Sequence, residues 1–426
     1  MENLLVYVWQ YRLYPLLSYV TTEGQKVEII DTGQLNTDAG PDFFNAKIRI
    51  DGTVWAGSVE MHTDAADWNR HHHTGNKAYD NVILHVTEYG LTPVYRTNGE
   101  RIPQLILSVS RSIRENIASL LSSQAVFPCQ DYLSKMDPFH FQMWLDVLLI
   151  ERLERKTNDI KKLLQRTHND WNQAFYVILC RNFGFGLNSE AFERLARNLP
   201  LQFIQKQRSN PLQVDALFFG QAGYLEEEKK ENAYYTLLRR EYIFLRHKYK
   251  LTPMPSFVFK RLRTRPINFP HLKLAQLAAI WTKYDTLFSL VLSLNTVEEM
   301  KKVFVVKLSD YWLTHYSFEK TSEKRNKTLG ESALNLLVIN TLVPMLFAYG
   351  RYVNRPEYET KAMALLKQIP AENNYIIRAF GDVGIQVKDA RDTQALIQLK
   401  RAYCERKKCM YCRVGFRLLK EAAMTL

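Results

Sequence analysis

The sequence has little cysteine, and its apolar segments are not typical of a signal peptide or a membrane span. Five cysteines in 426 residues are too few for the disulfide framework of a secreted protein. The apolar N-terminus contains Arg12 and lacks a basic leader and a small-residue cleavage site, so it predicts an amphipathic helix. The longest uncharged run, between Glu331 and Arg351, is interrupted by two asparagines and Pro344. It predicts a buried core helix, and we expect a cytoplasmic protein that does not span a membrane.

The sequence also lacks several short motifs that have a well-defined chemistry. It contains no P-loop, no G-x-G-x-x-G, no G-x-S-x-G and no H-E-x-x-H. Nucleotide-driven work and serine hydrolase chemistry are therefore disfavoured.

What the sequence does contain is ample apolar material and an excess of positive charge. Hydrophobic residues make up 46% of the chain, and 426 residues predict two or three domains. Lys and Arg number 57 against 44 Asp and Glu, which gives a formal net charge of +13. Such an excess suits a polyanionic partner and weakly favours nucleic acid. Nothing in the sequence identifies a protein partner.

Residues 1–110 have the pattern of an α+β domain. After the first helix, runs rich in Val and Ile predict strands at 26–30, 44–50 and 54–62, and Asp51-Gly52 predicts a hairpin turn between the second and third. Residues 65–79 are long enough for a short helix. A fourth strand at 82–86 and a trailing hairpin follow, so the predicted order is helix, three strands, helix, strand.

From residue 111 onward helical periodicity replaces the strand pattern. Residues 139–164 predict one long amphipathic helix, with apolar positions at helical spacing and charges between them. Further helical segments continue to the C-terminus, with proline-containing loops near 250–270 that mark a possible subdivision. The predicted fold class is therefore α+β, with an N-terminal domain at 1–110 and a large all-α region at 111–426.

The densest group of polar side chains lies in the N-terminal domain. Glu60 and His62 share one face of a predicted strand because side chains alternate along a strand. Asp42 enters the neighbouring strand, and the Asp51-Gly52 turn brings its carboxylate toward that of Glu60. Two carboxylates with a strand carbonyl between them form a site for Mg²⁺ or Mn²⁺. Such an ion assists phosphodiester hydrolysis, with His62 orienting or deprotonating the water.

At these residues the chain resembles the PD-(D/E)xK nuclease superfamily. Pro41-Asp42 and Glu60-x-His62 match its motif, in the predicted element order αβββαβ. The resemblance implies Asp42 and Glu60 as metal ligands, with Glu2 as a supporting acid from the first helix. The third motif residue is usually Lys and is His62 here, so the site has either kept its chemistry by other means or lost it.

The whole chain also resembles a bacterial family of unknown function, DUF2851. Resemblance to that family implies no particular activity, because none is established for it. The resemblance rests on the segments Gly40-Pro41-Asp42-Phe43, Gly57 to His62, Asp67-Trp68 with His71 and His73, Tyr79 to Val86, Arg265 to Pro270, and the terminal cysteines.

A second hypothesis uses the histidines of the same domain. His71 and His73, together with His62 or His85, could surround Zn²⁺ and leave a coordination position for water. Asp67 would then support the ligands. This arrangement predicts a zinc metallohydrolase that does not depend on nucleic acid.

The C-terminus contains Cys404, Cys409 and Cys412 in a C-x4-C-x2-C pattern that suits a soft metal. Cys129 is the expected fourth ligand, because Cys180 lies in an apolar helix and is expected in the core. The arrangement is similar to that of RecB-like nucleases with an iron–sulfur cluster, although their distant cysteine precedes the nuclease core. Zinc, an iron–sulfur cluster and a set of reduced thiols remain open.

A basic segment with nearby aromatic residues offers a place for phosphates and bases. A solvated basic face is the alternative. The cations are Lys260, Arg261, Arg263 and Arg265, and the neighbouring rings are Phe257, Phe259 and Phe269.

Together these patterns predict a nuclease or phosphodiesterase that depends on a divalent metal ion. The alternatives are the zinc hydrolase and a nuclease-fold protein that has lost catalysis and binds nucleic acid or serves as a scaffold. The sequence does not distinguish DNA from RNA.

Overall fold

The structure is a computed structural model that describes residues 2–15, 18–227, 232–262 and 264–424. Contacts divide the chain into two compact units. The sheet unit comprises Met1–Trp144, Ala379–Ile385 and Leu399–Leu426, and the helical unit comprises Leu145–Arg378 and Gln386–Gln398. The chain is a mixed α+β protein, in which an N-terminal sheet region is followed by a large helical region.

The described residues form one seven-stranded mixed sheet. Its strands are β1 Tyr19–Val20, β2 Lys26–Asp31, β3 Gln34–Leu35, β4 Phe43–Ile50, β5 Thr53–Asp64, β6 Val82–Tyr89 and β7 Gln104–Ile106.

Helices occupy most of the remaining chain. They are α1 Glu2–Gln10, α2 Asp67–Arg70, α3 Arg111–Ser122, α4 Gln130–Leu133, α5 Pro138–Arg166, α6 Trp171–Phe183, α7 Ser189–Asn198, α8 Leu201–Gln207, α9 Pro211–Gln221, α10 Ala233–Tyr249, α11 Pro270–Lys283, α12 Leu287–Ser293, α13 Val297–Val303, α14 Asp310–Thr314, α15 Glu331–Leu337, α16 Val343–Val353, α17 Pro356–Gln368, α18 Tyr375–Asp382, α19 Ala390–Gln398 and α20 Arg413–Met424.

The strand order is β1-β2-β4-β5-β6-β7, with β3 added beside β4. Strands β2, β4 and β5 are antiparallel neighbours, whereas β6 runs parallel to β5, and β7 parallel to β6. The β4–β5 hairpin closes at Asp51-Gly52, where both residues have a positive φ, of 44° and 85°. This is the backbone that a tight two-residue hairpin requires. It sets the register from Ile50 opposite Thr53 to Ala46 opposite Gly57, and an irregularity between Ala46 and Phe43 then shifts the pairing by one residue, so that Phe43 lies opposite Val59.

The connection from β5 to β6 contains α2 and two short 3₁₀ turns, at His73–Gly75 and Lys77–Tyr79. The segment that was expected to be one short helix is therefore broken into three turns. The C-terminal end of the domain also differs from the predicted trailing hairpin. Tyr95 and Arg101 form an isolated antiparallel bridge, and β7 instead extends the sheet in parallel. The local alternation of side chains cannot distinguish parallel from antiparallel pairing.

The core of the sheet unit lies between the sheet and the helices that cover it. Leu5, Val8 and Trp9 of α1 are fully buried, and the Trp9 indole N–H donates to the carbonyl O of Thr32 at 3.0 Å. Ile113 of α3 belongs to the same apolar cluster, as does Leu419 of α20. Hence the sheet unit extends beyond residues 1–110 and includes helices from both ends of the chain.

The helical unit contains most of α5, which spans two residues more at its C-terminus than the predicted helix at 139–164. One helix of the described residues, Glu331–Val353, is long and apolar enough to cross a membrane by length and composition, and 72% of its most apolar window is buried. It comprises α15, α16 and the π-helical segment Val338–Leu342 between them.

Candidate functional site

Asp42 and Glu60 interlock across the β4–β5 pair. The backbone N–H of Asp42 donates to Oε2 of Glu60 at 3.0 Å, and the N–H of Met61 donates to Oδ2 of Asp42 at 3.0 Å. The sheet thus fixes one oxygen of each carboxylate. Glu60 is only 7% exposed at its side chain, so its position is set by these bonds and not by solvent. Asp42 and Glu60 are therefore joined through the backbone of the neighbouring strand.

Two imidazoles lie beside the other oxygen of Glu60, and a third lies beside one of these two. Oε1 lies 3.2 Å from Nε2 of His73 and 3.6 Å from Nε2 of His62. Nε2 of His62 is in turn 3.2 Å from Nδ1 of His71. In the described part of the chain, one group of three or more potential ligands has its ligand atoms within 4.8 Å of one another, and it is formed by His62, His71 and His73. The two metal hypotheses therefore concern one site.

The connection after β5 delivers the second and third imidazoles. His72, which separates them, has a left-handed backbone with φ of 59° and is exposed. This reversal lets His71 and His73 turn toward the same point. The His73 ring stacks on Tyr79 with a centroid distance of 3.8 Å and meets Trp68 edge-on at 5.3 Å. His71 remains exposed and gives solvent or a ligand access to the site.

A buried hydrogen-bond chain sets the protonation of His62. Nε2 of Gln104 donates to the carbonyl O of Thr92 at 2.9 Å and lies 3.3 Å from Nδ1 of His85. Because an amide nitrogen only donates, Nδ1 of His85 accepts, and neutral His85 carries its proton on Nε2. That proton is donated to Nδ1 of His62 at 2.9 Å. Neutral His62 therefore presents an Nε2–H donor toward His71.

His62 and His85, the two histidines of this hydrogen-bond chain, are held in the neutral form. Burial, followed by the neighbouring His73 and His71, lowers the pKa of His62 to about 3, and Asp67 opposes them. Burial, followed by His62 and His73, also lowers the pKa of His85 to about 3. At neutral pH His62 and His85 are consequently uncharged. A buried imidazolium at His62 does not fit this arrangement.

Asp67 lies at the start of α2 and supports the backbone of the connection. Its Oδ2 accepts from the N–H of Asp64 at 3.2 Å, and its Oδ1 pairs with Arg70 at 2.7 Å. The side chain of Glu2 lies outside the described residues.

The donor set fits a divalent metal ion. Carboxylate oxygens and neutral imidazole nitrogens together suit Mn²⁺ and Zn²⁺, while carboxylates alone suit Mg²⁺. Asp42, Glu60, His71 and His73 are the residues that would hold the ion. His62 could join them only if its Nε2 lost the proton that the Gln104–His85 chain places there.

Four of the five cysteines lie together in the sheet unit. Burial, followed by the nearby Cys412 and Cys409, raises the pKa of Cys129 to about 12. Burial, followed by Cys412, Cys129 and Cys409, also raises the pKa of Cys404, while Lys400 lowers it. Each of the four is therefore within electrostatic reach of others, and Cys129 lies with the C-terminal three.

The local backbone is shaped around these thiols. The N–H groups of Val414 and Gly415 bond to the sulfur of Cys412, which opposes the rise of its pKa through burial. A Cβ at Gly415 would lie 2.1 Å from the carbonyl O of Cys409, so glycine is required where α20 begins. The fifth cysteine, Cys180, is buried in α6 of the helical unit.

The predicted basic segment lies on the surface of the helical unit. Lys260, Arg261 and Arg265 are exposed, and Arg261 pairs with Glu319 at 3.4 Å, while Arg263 lies outside the described residues. Phe257 is 83% exposed, but Phe259 is buried against Phe192 and is not available for stacking. Phe269 is half-buried.

The sequence did not identify Gln104 as a residue of the site, nor Tyr79 as the ring that stacks on His73. Gln104 is a buried amide in the short apolar run 102–107, and a lone polar residue in such a run was the available signal. His85 was assigned to the zinc hypothesis, but it contacts the site through His62.

Comparison with known proteins gives one match. A family model described as a protein of unknown function, DUF2851, matches residues 2–375. No curated protein and no solved structure matches the chain significantly.

Proposed function

We propose that this chain, which belongs to the DUF2851 family of proteins of unknown function, is a phosphodiesterase that depends on a divalent metal ion and cleaves nucleic acid. The observation that carries the proposal is the interlocked pair of Asp42 and Glu60 beside the Nε2–H donor of His62. Charged oxygens for an ion and a neutral donor for a phosphate oxygen thereby occupy one site.

A divalent ion held by Asp42, Glu60, His71 and His73 would supply Lewis-acid polarisation of the phosphodiester and ease attack by water at neutral pH. His62 donates through Nε2–H to a phosphate oxygen, where negative charge increases as the reaction proceeds. Because His62 and His85 are buried and neutral, this donor keeps its proton across the physiological pH range. Exposed His71 lies on the side from which substrate enters.

The resemblance to the PD-(D/E)xK superfamily supports the same assignment. Helix α1, the antiparallel strands β2, β4 and β5, the short helix α2 and the parallel strand β6 occur in this order, with the two-residue strands β1 and β3 between them. The superfamily usually has a lysine donor where this chain has His62. The Gln104–His85 chain gives His62 a donor at Nε2 and so provides an equivalent.

The test is cleavage of single- and double-stranded DNA and RNA by the purified protein with Mg²⁺ or Mn²⁺. Asp42→Asn and Glu60→Gln are expected to lower cleavage at least about 100-fold, because each removes charge at the ion. Glu28→Gln is the matched control, since Glu28 is exposed on β2 and pairs with exposed Arg49. Equal activity in all three variants and the parent would exclude the proposal. Salt-sensitive binding without cleavage would instead indicate a catalytically inactive nucleic-acid-binding protein.

A zinc hydrolase independent of nucleic acid is the second candidate, because His62, His71 and His73 converge within 4.8 Å. It requires His62 to bind through Nε2 and hence a reversed hydrogen-bond chain. Stoichiometric zinc that is lost in His71→Asn and His73→Asn, without cleavage of any nucleic acid, would support it.

We also propose that Cys129, Cys404, Cys409 and Cys412 hold one metal centre, because the four thiols lie within electrostatic reach of one another. Four thiolates are the ligand set of a zinc ion and of an iron–sulfur cluster.

The experiment for the cysteine centre is quantification of iron, sulfide and zinc in protein purified without oxygen. Cys412→Ser is expected to lose the metal, and Cys180→Ala, the matched control in α6, is expected to keep it. Stoichiometric zinc without iron would contradict the cluster, and absence of both metals would leave four reduced thiols.

A further inference from the structure

The helical unit contains a cavity that the proposed function does not use. Its volume is about 580 Å³, and its walls come from α5, α6 and α7 together with the helix that runs through Asn340 and Pro344. This volume falls within the range of small-molecule sites. The apolar part of the lining consists of aliphatic side chains and Pro344.

The charge of the lining is strongly positive. Six cations line the cavity against two acidic residues, Asp159 and Glu193, and the cations are Arg155, Lys156, Lys162, Arg166, Arg181 and Arg197. Glu193 is already engaged, because it pairs with Arg197 at 2.7 Å and with Arg181 at 3.6 Å. Among the described residues, no carboxylate oxygen lies within 4.0 Å of the charged ends of Arg155, Lys162 or Arg166.

Lys156 is the most constrained of these cations. Its Nζ donates to Oδ1 of Asn340 at 3.0 Å. Burial lowers its pKa well below the usual value, Arg152 and Arg155 lower it further, and Glu372 opposes them. An ammonium placed among other cations is unfavourable unless an anion is also present.

The helix that contains Asn340, the hydrogen-bond partner of Lys156, is distorted, and Pro344 explains the distortion. Pro344 has no N–H for the carbonyl of Asn340, four residues earlier, and the chain forms the π-helical segment Val338–Leu342 at this point. Nδ2 of Asn182 donates to the released carbonyl O of Asn340 at 2.9 Å and to Oγ1 of Thr341 at 2.9 Å. The distortion is thus supported by dedicated hydrogen bonds and orients Asn340 toward Lys156. Single π-helical turns of this kind are frequent at functional sites.

We propose that this cavity binds a small anion with several phosphate groups, such as a polyphosphate or the phosphate chain of a nucleotide. Clustered Arg and Lys side chains match the charge and the multiple acceptor oxygens of linked phosphates. The absence of aromatic side chains from the lining disfavours stacked bases of single-stranded nucleic acid as the occupant. The site lies within the helical unit and does not rest on the proposed nuclease activity.

The test is calorimetric titration of the full chain with inorganic triphosphate, pyrophosphate, orthophosphate and a single-stranded oligonucleotide. Saturable binding is expected, tightest for triphosphate. Lys162→Gln and Arg166→Gln are each expected to weaken triphosphate binding about tenfold, as for loss of one charge-assisted hydrogen bond. Lys161→Gln is the matched control, because it is the adjacent exposed lysine of α5 and does not line the cavity. It is expected to change binding less than twofold.

Three outcomes would overturn the proposal. They are no saturable binding of triphosphate, equal weakening by Lys161→Gln, and binding of the oligonucleotide that triphosphate does not displace. Lys156→Met gives an independent check through thermal unfolding. It is expected to abolish the rise in unfolding temperature that triphosphate causes, without lowering the unfolding temperature of the unliganded protein. A triphosphate-induced rise equal to that of the parent would also count against the site.

Discussion

Replacing Gln104 by Glu tests how the buried hydrogen-bond chain controls His62. The carboxylate is nearly isosteric with the amide, but it can only accept, so it would favour the tautomer of His85 whose Nδ1–H donates to it. His85 would then accept at Nε2 from Nδ1–H of His62, and Nε2 of His62 would become a lone pair. One substitution thereby converts the donor into a metal ligand.

The size of the effect follows from the bonds that change. The substitution removes the 2.9 Å bond to the carbonyl of Thr92 and places a carboxylate at a position that is only 1% exposed. We expect a loss of about 3 kcal/mol in the free energy of unfolding. Changes in the groups that orient a metal ligand alter affinity or activity about 10- to 100-fold. Cleavage is therefore expected to fall at least about tenfold and zinc affinity to rise about tenfold.

Two assays measure these effects on the same samples. Zinc affinity is measured by competition with a chromophoric chelator, and cleavage is measured with a labelled oligonucleotide and Mn²⁺. Gln104→Leu is the control, because it also removes the bond to Thr92 but offers His85 no acceptor. Unchanged cleavage and zinc affinity in Gln104→Glu would refute the assigned direction of the chain, as would identical behaviour of the two variants.

Three further predictions concern stability and metal dependence. Burial, opposed by a hydrogen bond from Tyr234, raises the pKa of Asp215 from 3.8 to about 7, so its stabilising contribution is complete below pH 4 and is lost as the pH rises to 7. The free energy of unfolding falls by about 3 kcal/mol over this range, after allowance for partial exposure. Urea unfolding of Asp215→Asn should lack this part of the pH dependence, and a pH profile equal to that of the parent would contradict the prediction. A Cβ at Gly57 would lie 2.5 Å from Cγ2 of Ile83 and 2.6 Å from the carbonyl O of Asn81, so Gly57→Ala should cost about 2 kcal/mol, whereas Gly75→Ala, which meets open space, should be nearly neutral in the same thermal unfolding assay. Treatment with a chelator should abolish cleavage and Mn²⁺ should restore it; full activity after exhaustive chelation would exclude a metal-dependent reaction.

Much of the sheet follows from local sequence. Runs of β-branched residues marked β2, β4, β5 and β6, and Asp51-Gly52 marked the turn because it tolerates positive φ. The parallel addition of β7 could not be predicted, since it depends on which edge of the sheet is available. The return of 399–426 to the sheet unit is also encoded by distant apolar contacts, such as those of Leu419, and not by a local pattern.

The candidate site could likewise be predicted only in part from the sequence. Asp42 and Glu60 could be assigned to neighbouring strands because the Asp51-Gly52 turn is visible in the sequence, but which positions meet also depends on the irregularity between Phe43 and Ala46. His71 and His73 lie in an irregular connection, and their convergence depends on the left-handed backbone of His72, which no spacing rule predicts. Gln104 is distant in sequence, so its control of His62 required the three-dimensional structure.

Anomalous scattering from crystals of the full chain grown with Mn²⁺ would locate the ion directly. We expect one strong peak about 2.0 to 2.3 Å from Oε1 of Glu60, with imidazole nitrogen of His73 among the ligands. The peak should disappear in Glu60→Gln crystals grown under the same conditions. A peak located elsewhere, or no ordered ion at this site at saturating Mn²⁺, would contradict the account.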